Sequence, residues 1–356
     1  MTASLAPIRL LETLHAASSR GASDVHFCAG LPPVLRINGD LQIQSGAPAT
    51  PDEIECMSGA LLDQRSRDTY AASGDVTAAW RDGETGTFRV HAYRASRGPV
   101  LAVRLISQSV PVLASLHLPP IVETFAARPH GLIIFAGPTG SGKSTAMAAL
   151  VDHINRFAAK HVITIEDPIE YEHRSNRSIV TQREIGRDVP AYSTAVHNAL
   201  RCDPDVLLIG EMRDPSTIHA AITAAETGHL VLTTLHTGDA AQTVDRIIGA
   251  FSGEMQDQVR VQLAQTLAGI VCMRLVPRRD GRGRCVAAEV LIGNDAVRNV
   301  IRDGKTHQIP NIIATNRNIG MQSLEAHLMD LLARGDIATE SAREVAPRLS
   351  EPRTSR

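Results

Sequence analysis

The sequence predicts an α/β protein in two parts, a small α+β unit followed by a larger unit built on a mostly parallel sheet. Three observations carry this reading. Four short apolar runs, Leu132–Ala136, Val162–Ile165, Val206–Ile209 and Leu230–Thr234, are for the most part separated by segments of helical period. Apolar strands alternating with amphipathic helices indicate a sheet covered on both faces. The first run leads directly into a glycine-rich loop and then into a helix-patterned segment. Before Gly131 the texture differs, with a helical stretch, several β-like runs, and a segment at 107–120 that carries three prolines and little charge. These shifts place one domain at 1–107, a linker at 108–120 and a second domain at 121–356 with a helical C-terminal part.

In the first part, Ile8, Leu11 and Leu14 recur at helical spacing before a polar break at Ser18–Ser23. Val34–Ile37, Val76–Trp80, Phe88–Tyr93 and Val100–Ile106 read as strands, and Asn38-Gly39 is a hairpin-turn dipeptide. In the second part, Met147, Val151, Ile154 and Ala158 share one helical face behind the glycine loop. Asp214 is placed to cap a helix that starts at Pro215, turns Ile218, Ile222 and Ala225 inward and closes at Gly228. After Ser252 a long amphipathic stretch carries Met255, Val259, Leu263, Leu267, Ile270 and Met273. The tail, including Met321–Leu332, reads as mostly helical, with fraying over 348–356.

Composition narrows the class. The 356 residues are 43% hydrophobic and 21% charged, which is globular composition. Thirty-six Lys and Arg against 38 Asp and Glu leave a formal charge of −2, which argues against a bulk-basic nucleic-acid or membrane binder. Aromatics at 3% leave little material for stacking single strands. The five cysteines are widely spaced with no C-x-x-C pair, the pattern of reduced thiols. No basic n-region with an apolar run opens the chain, and no stretch nears the ~18 apolar residues of a spanning helix. The expectation is a soluble intracellular protein.

Gly137-Pro138-Thr139-Gly140-Ser141-Gly142-Lys143-Ser144-Thr145 satisfies G-x-x-x-x-G-K-[ST] in the strand–loop–helix context that motif requires. Glycines let backbone N–H groups converge on phosphate oxygens, and the helix N-terminus adds its positive end. Lys143 is placed to neutralise the β- and γ-phosphates of ATP, and the Ser144 hydroxyl to bind Mg²⁺. Glu166 and Glu211 follow the second and third strands, where a carboxylate can reach Mg²⁺ or orient the attacking water. His229 and His236 bracket the fourth strand; a histidine there is either a hydrogen-bonded structural residue or a chemical one. Arg81, Arg89, Arg94, Arg97 and Arg104 either solvate a face or, in a motor that closes sites between subunits, reach a neighbour's γ-phosphate.

Ala22-Ser-Asp-Val-His26 with Leu31-Pro-Pro, GPTGSGKST, TIEDPIE, DPDVLLIGEMRD and AAETGHLVLTTLHT follow one another along the chain. In these segments the sequence resembles the type IV pilus retraction ATPases, the PilT family of secretion and pilus-assembly ATPases, over residues 8–345. The resemblance implies a PAS-like N-terminal domain, a RecA-like P-loop ATPase domain and a homohexameric ring with sites between subunits. It implies Glu166 as the water-activating glutamate and Glu211 as the carboxylate supporting Mg²⁺. It implies His229 as a γ-phosphate contact, and Arg89 and Arg104, with Arg97 a weaker third, as cations reaching a nucleotide across domains. The implied partners are an inner-membrane pilus platform protein and a paired assembly ATPase, not nucleic acid; the implied place is the inner face of the cytoplasmic membrane. Ala296–Asp303, AVRNVIRD, resembles the AIRNLIRE segment associated with retraction, with departures at Val297, Val300 and Asp303. As plain structure it is an amphipathic helix capped near Asn294, with Val297, Val300 and Ile301 inward.

Overall fold

The computed structural model describes residues 6–37, 39–82, 86–106, 109–281, 283–347 and 349. Asn38 of the expected turn, Gln108 at the start of the expected linker, and all of 348–356 except Leu349 lie outside the described residues. Two units separate. The first runs to Ser109 and takes in Glu170–Glu172; the second comprises Val110–Ile169 and the chain from His173 onward.

In the first unit the order is α1 (Ala6–Ser19), β1 (Asp24–Cys28), β2 (Val34–Ile37), β3 (Asp40–Ile43), α2 (Pro51–Leu61), α3 (Gln64–Ser73), β4 (Asp75–Asp82), β5 (Gly86–Ala95) and β6 (Gly98–Leu105). The strands form one antiparallel sheet in the order β3-β2-β1-β6-β5-β4. Period-two patterning turns Val25, Phe27, Phe88, Val90, Leu101 and Val103 into a core shared with Leu10, Leu14, Ile54 and Met57. The inward face of α1 is thus Ala6, Leu10, Leu14 and Ala17, whereas Ile8 and Leu11 of the expected stripe are exposed. The expected strands all form. The sequence reading omitted α2, which a capping box between Thr50 and Glu53 starts, and α3, capped by Asp63.

The second unit contains α4 (Ile121–Thr124), β7 (Gly131–Ala136), α5 (Lys143–Phe157), β8 (His161–Glu166), β9 (Ile179–Glu184), α6 (Tyr192–Ala199), β10 (Val206–Ile209), α7 (Pro215–Glu226), β11 (Leu230–Leu235), α8 (Ala240–Ile248) and α9 (Gly253–Thr266). After these come β12 (Leu267–Pro277), β13 (Arg284–Ile292), α10 (Asp295–Arg302), α11 (Ile309–Thr315), α12 (Leu324–Arg334) and α13 (Thr339–Val345). The sheet order is β13-β12-β7-β11-β10-β8-β9, parallel throughout except between β12 and β13. β7, β10 and β11 are buried along their whole length, as a sheet with both faces covered requires. Asp214 caps α7 by accepting from Thr217 N, and Asn294 caps α10 by accepting from Val297 N, both as expected. Leu113, inside the expected linker, is buried in this unit's core.

One expectation is corrected. The amphipathic stretch after Ser252 is helical only to Thr266; Leu267, Ile270 and Met273 lie on β12, which pairs with β7 on one side and β13 on the other. A continuous apolar run has no decisive period, and here Gly269 with β-branched Ile270 and Val271 favours the strand.

On β13, Glu289 accepts a hydrogen bond from Ala240 N at 2.8 Å at the start of α8. Burial pushes its carboxyl from the usual 4.5 up to about 7; the Ala240 N–H opposes the rise, Asp239 and Glu325 add to it, and Arg274 opposes it weakly. A raised acid favours folding while protonated, so stability declines as pH climbs from 4.5 through about 7, by about 3 kcal/mol in all. Glu289→Gln keeps an acceptor for Ala240. It is expected to raise the thermal midpoint at pH 8 by several degrees and to change little at pH 5; thermal melts at both values check this.

Candidate active site

Parallel strands bring their carboxyl ends to one edge of a sheet, and ligands of open α/β folds bind outside that edge. At the end of β7, Gly137 leaves the sheet with φ 143°. A Cβ there would stand 2.5 Å from the Met273 carbonyl oxygen and 2.6 Å from Ser141 Oγ, so only glycine fits. The loop passes through exposed Pro138, Thr139 and Gly140, and α5 starts at Lys143 behind Gly142. Met147, Val151 and Ile154 anchor α5 in the core and aim its N-terminus at the loop.

Lys143 is only 7% exposed, and its Nζ donates to the carbonyl oxygens of Gly137 at 2.8 Å and Pro138 at 3.0 Å. The ammonium is therefore held inside the curve of its own loop. Ser141 Oγ is buried with no hydrogen-bond partner in the structure. Together with the N–H groups of the first turn of α5, these donors fit phosphate oxygens. Ser144 and Thr145 sit half-buried in that same first turn.

Three strands away from β7 across the sheet, Glu166 ends β8, and Thr164 Oγ1 donates to its Oε1 at 2.6 Å. Gly210 N donates to the Ile165 carbonyl at 2.8 Å, so Glu211 leaves β10 beside Glu166. The approach is close enough that a Cβ at 210 would lie 2.9 Å from Tyr192 Oη and 3.4 Å from Glu166 Cα. Glu211 Oε2 accepts from Arg213 Nε at 2.8 Å, and its Oε1 lies 3.3 Å from His236 Nε2. Burial, then the nearby Asp167 carboxylate, pushes the Tyr192 phenol up, so it stays neutral beside these acids.

The structure separates the two histidines. Leu235 ends β11 opposite Ala136, and Gly137 N donates to the Leu235 carbonyl, so His236 lies next to the phosphate loop. His229 precedes β11, with its Nδ1 2.9 Å from the Ala224 carbonyl oxygen and its own carbonyl accepting from Gly131 N. That is the far end of a six-residue strand, about 20 Å from the loop at 3.3 Å per residue. Within this chain His229 therefore lies away from the phosphate loop, and His236 is the histidine at the carboxylates. Strand polarity was the signal available, because in a parallel sheet only residues after a strand share the loop's edge.

In the first unit, Arg89 and Arg104 are direct cross-strand partners on β5 and β6. Arg104 Nε also bonds Asp24 Oδ1 at 2.8 Å. Arg97 lies in the turn between those strands, away from the pair. Arg94 covers the Tyr70 ring, and Arg81 pairs with Glu172.

Among the described residues no group of three or more His, Cys, Asp or Glu could hold a metal unaided. The oxygen donors at this edge include the Ser144 hydroxyl and the Glu211 carboxylate. They fit Mg²⁺, which takes one or two carboxylates and completes its shell with phosphate oxygens and water.

The sequence profile of the type II/IV secretion system protein family matches residues 82–322. A twitching motility protein of Neisseria gonorrhoeae is 39% identical over 339 residues, 95% of this chain and 90% of that protein. The type IV pilus retraction ATPase PilT of Pseudomonas aeruginosa is 39% identical over 337 residues, 95% of this chain and 98% of that one. The crystal structure of the pilus retraction motor PilT with bound ADP matches with a TM-score of 0.88 at 39% identity, covering 95% of this chain and 96% of that chain. The profile match over residues 82–322 and 39% identity across 95% of the chain make this chain a member of the PilT family of ATPases within the type II/IV secretion system proteins.

Proposed function

We propose that the chain is an ATP-hydrolysing motor that retracts type IV pili, acting as a homohexamer on an inner-membrane platform protein. One convergence carries the reading: the phosphate loop, Glu166, Glu211 and His236 meet at a single sheet edge in a chain 39% identical to PilT across 95% of its length.

The triphosphate of ATP lies in the loop 137–142, with Lys143 moved from its own carbonyls onto the β- and γ-phosphates. Ser144 and Glu211 would hold Mg²⁺, which supplies positive charge to the phosphoryl oxygens. Glu166 orients the attacking water and takes its proton. His236, paired with Glu211, senses the γ-phosphate side of the site. Arg89 and Arg104 serve a neighbouring subunit's nucleotide, so that ATP binding and product release close and open successive sites around the ring. Among the described residues no helix is long and apolar enough to cross a membrane. Attachment at the inner face of the cytoplasmic membrane goes through the platform, beside a paired assembly ATPase and without nucleic acid.

The test is a count of surface pili on cells lacking the protein and on cells carrying Lys143→Ala. Abundant fibres with lost twitching in both are expected. Bald cells would assign the chain to pilus assembly. Unchanged pili would assign it to a secretion or conjugation machine, and AVRNVIRD would lose its force as a retraction marker.

A further inference from the structure

β9 is the edge strand of the second sheet and carries the polar sequence IVTQRE. It pairs in parallel with β8, with Gln182 opposite Thr164 and Glu184 opposite Glu166. Strand period two puts Thr164, Glu166, Gln182 and Glu184 on one face, while Ile163 and Ile165 turn into the core on the other. Gln182 is thus the diagonal neighbour of Glu166.

Both ends of the Gln182 amide are engaged. The backbone N–H of His173 donates to Gln182 Oε1 at 2.8 Å, and Gln182 Nε2 donates to Glu166 Oε1 at 3.1 Å. A backbone N–H can only donate, so it fixes the amide oxygen on its side and turns the NH₂ toward the carboxylate. The Thr164 hydroxyl, 2.6 Å away, donates to the same Oε1. Two donors on one oxygen fix the plane of the Glu166 carboxylate. Effective general-base catalysis depends on such placement, since a misaligned base loses rate without any loss of substrate binding.

We propose that Gln182 is the positioning residue for Glu166: anchored by the His173 backbone, it sets the orientation in which that carboxylate meets the attacking water. This rests on the reading of Glu166 as the water-activating group. The other titratable or charged groups around it are Asp167 on the same strand end, Glu184 on β9, Glu211 and Arg213 after β10, and Tyr192 on α6.

The experiment measures ATP turnover and KM for Gln182→Leu, Gln182→Glu and Glu166→Gln in the full chain, with kcat followed against pH. Gln182→Leu is expected to lower kcat about tenfold with KM for ATP within about twofold. Gln182→Glu keeps the acceptor for His173 N but sets a second carboxylate against Glu166. Like charges at that distance disfavour ionisation, so the acid limb of kcat should move to higher pH by about one unit. A purely structural role would lower stability without moving that limb, and Gln182→Glu supplies this readout even if Gln182→Leu fails to fold. Wild-type kcat and an unmoved acid limb in the Gln182 variants, with Glu166→Gln inactive, would overturn the positioning role alone. Full turnover in Glu166→Gln would overturn the role of Glu166 and this proposal together.

Discussion

Lys143→Ala is expected to cut ATP hydrolysis by about a thousandfold or more while leaving the fold intact. The structure explains why both halves of that outcome go together. Lys143 puts a positive charge in the first turn of α5, where the helix macrodipole already favours negative charge. It is also almost fully buried, which is costly for an ammonium. Neither placement is what stability alone would select. The two carbonyls that receive Nζ belong to the loop, and Pro138 is exposed, so water can replace the lost donor there. The thermal midpoint of Lys143→Ala should therefore match or exceed that of the wild type. Turnover fails because no other side chain of the loop brings positive charge to the phosphates. Steady-state phosphate release and a thermal melt on the same preparation check the pair. Turnover within tenfold of wild type would remove Lys143 from the phosphate site, and a large drop in melting temperature would make it a structural residue.

Legibility of this fold in its sequence tracked how many independent signals met at each element. β7, the glycine loop and α5 were legible because an apolar run, a loop motif and a helical stripe adjoin at one place. The helix from Pro215 was legible from its cap, its first-position proline and its apolar face together, and Asp214 does accept from Thr217 N. β12 was not, because LAGIVCM is apolar throughout and matches either period. α2 was missed although Thr50-Pro-Asp-Glu53 is a capping box with proline at the first helical position. The site divides in the same way. Glu166 and Glu211 follow their strands and fall at the sheet edge that carries the phosphate loop. His229 and His236 look equivalent as neighbours of one strand, and only the direction of β11 relative to β7 separates them. Gln182 gave no signal, since it lies on a polar edge strand and acquires meaning only through its register with Thr164.

Glu166→Gln should bind ATP as the wild type does and hydrolyse it about 10²–10⁴-fold more slowly, the range assigned to a positioned general base. The substitution is nearly isosteric, and the amide oxygen can still accept from Thr164 and Gln182, so β8 and its neighbours should not move. What disappears is the capacity to take a proton from water. Glu211→Gln should behave differently, because it removes the charge that pairs with Arg213 and His236 and would support Mg²⁺. There, nucleotide affinity in the presence of Mg²⁺ should fall along with the rate. The contrast matters because the two glutamates leave adjacent parallel strands at the same edge, and position alone does not divide the labour between them. Binding of a fluorescent ATP analogue, with and without Mg²⁺, together with single-turnover hydrolysis separates the roles. If Glu166→Gln loses affinity while Glu211→Gln keeps it and stalls, the roles are exchanged. The water then sits under β10, and the Thr164 hydroxyl would be orienting a metal-supporting carboxylate instead of a base.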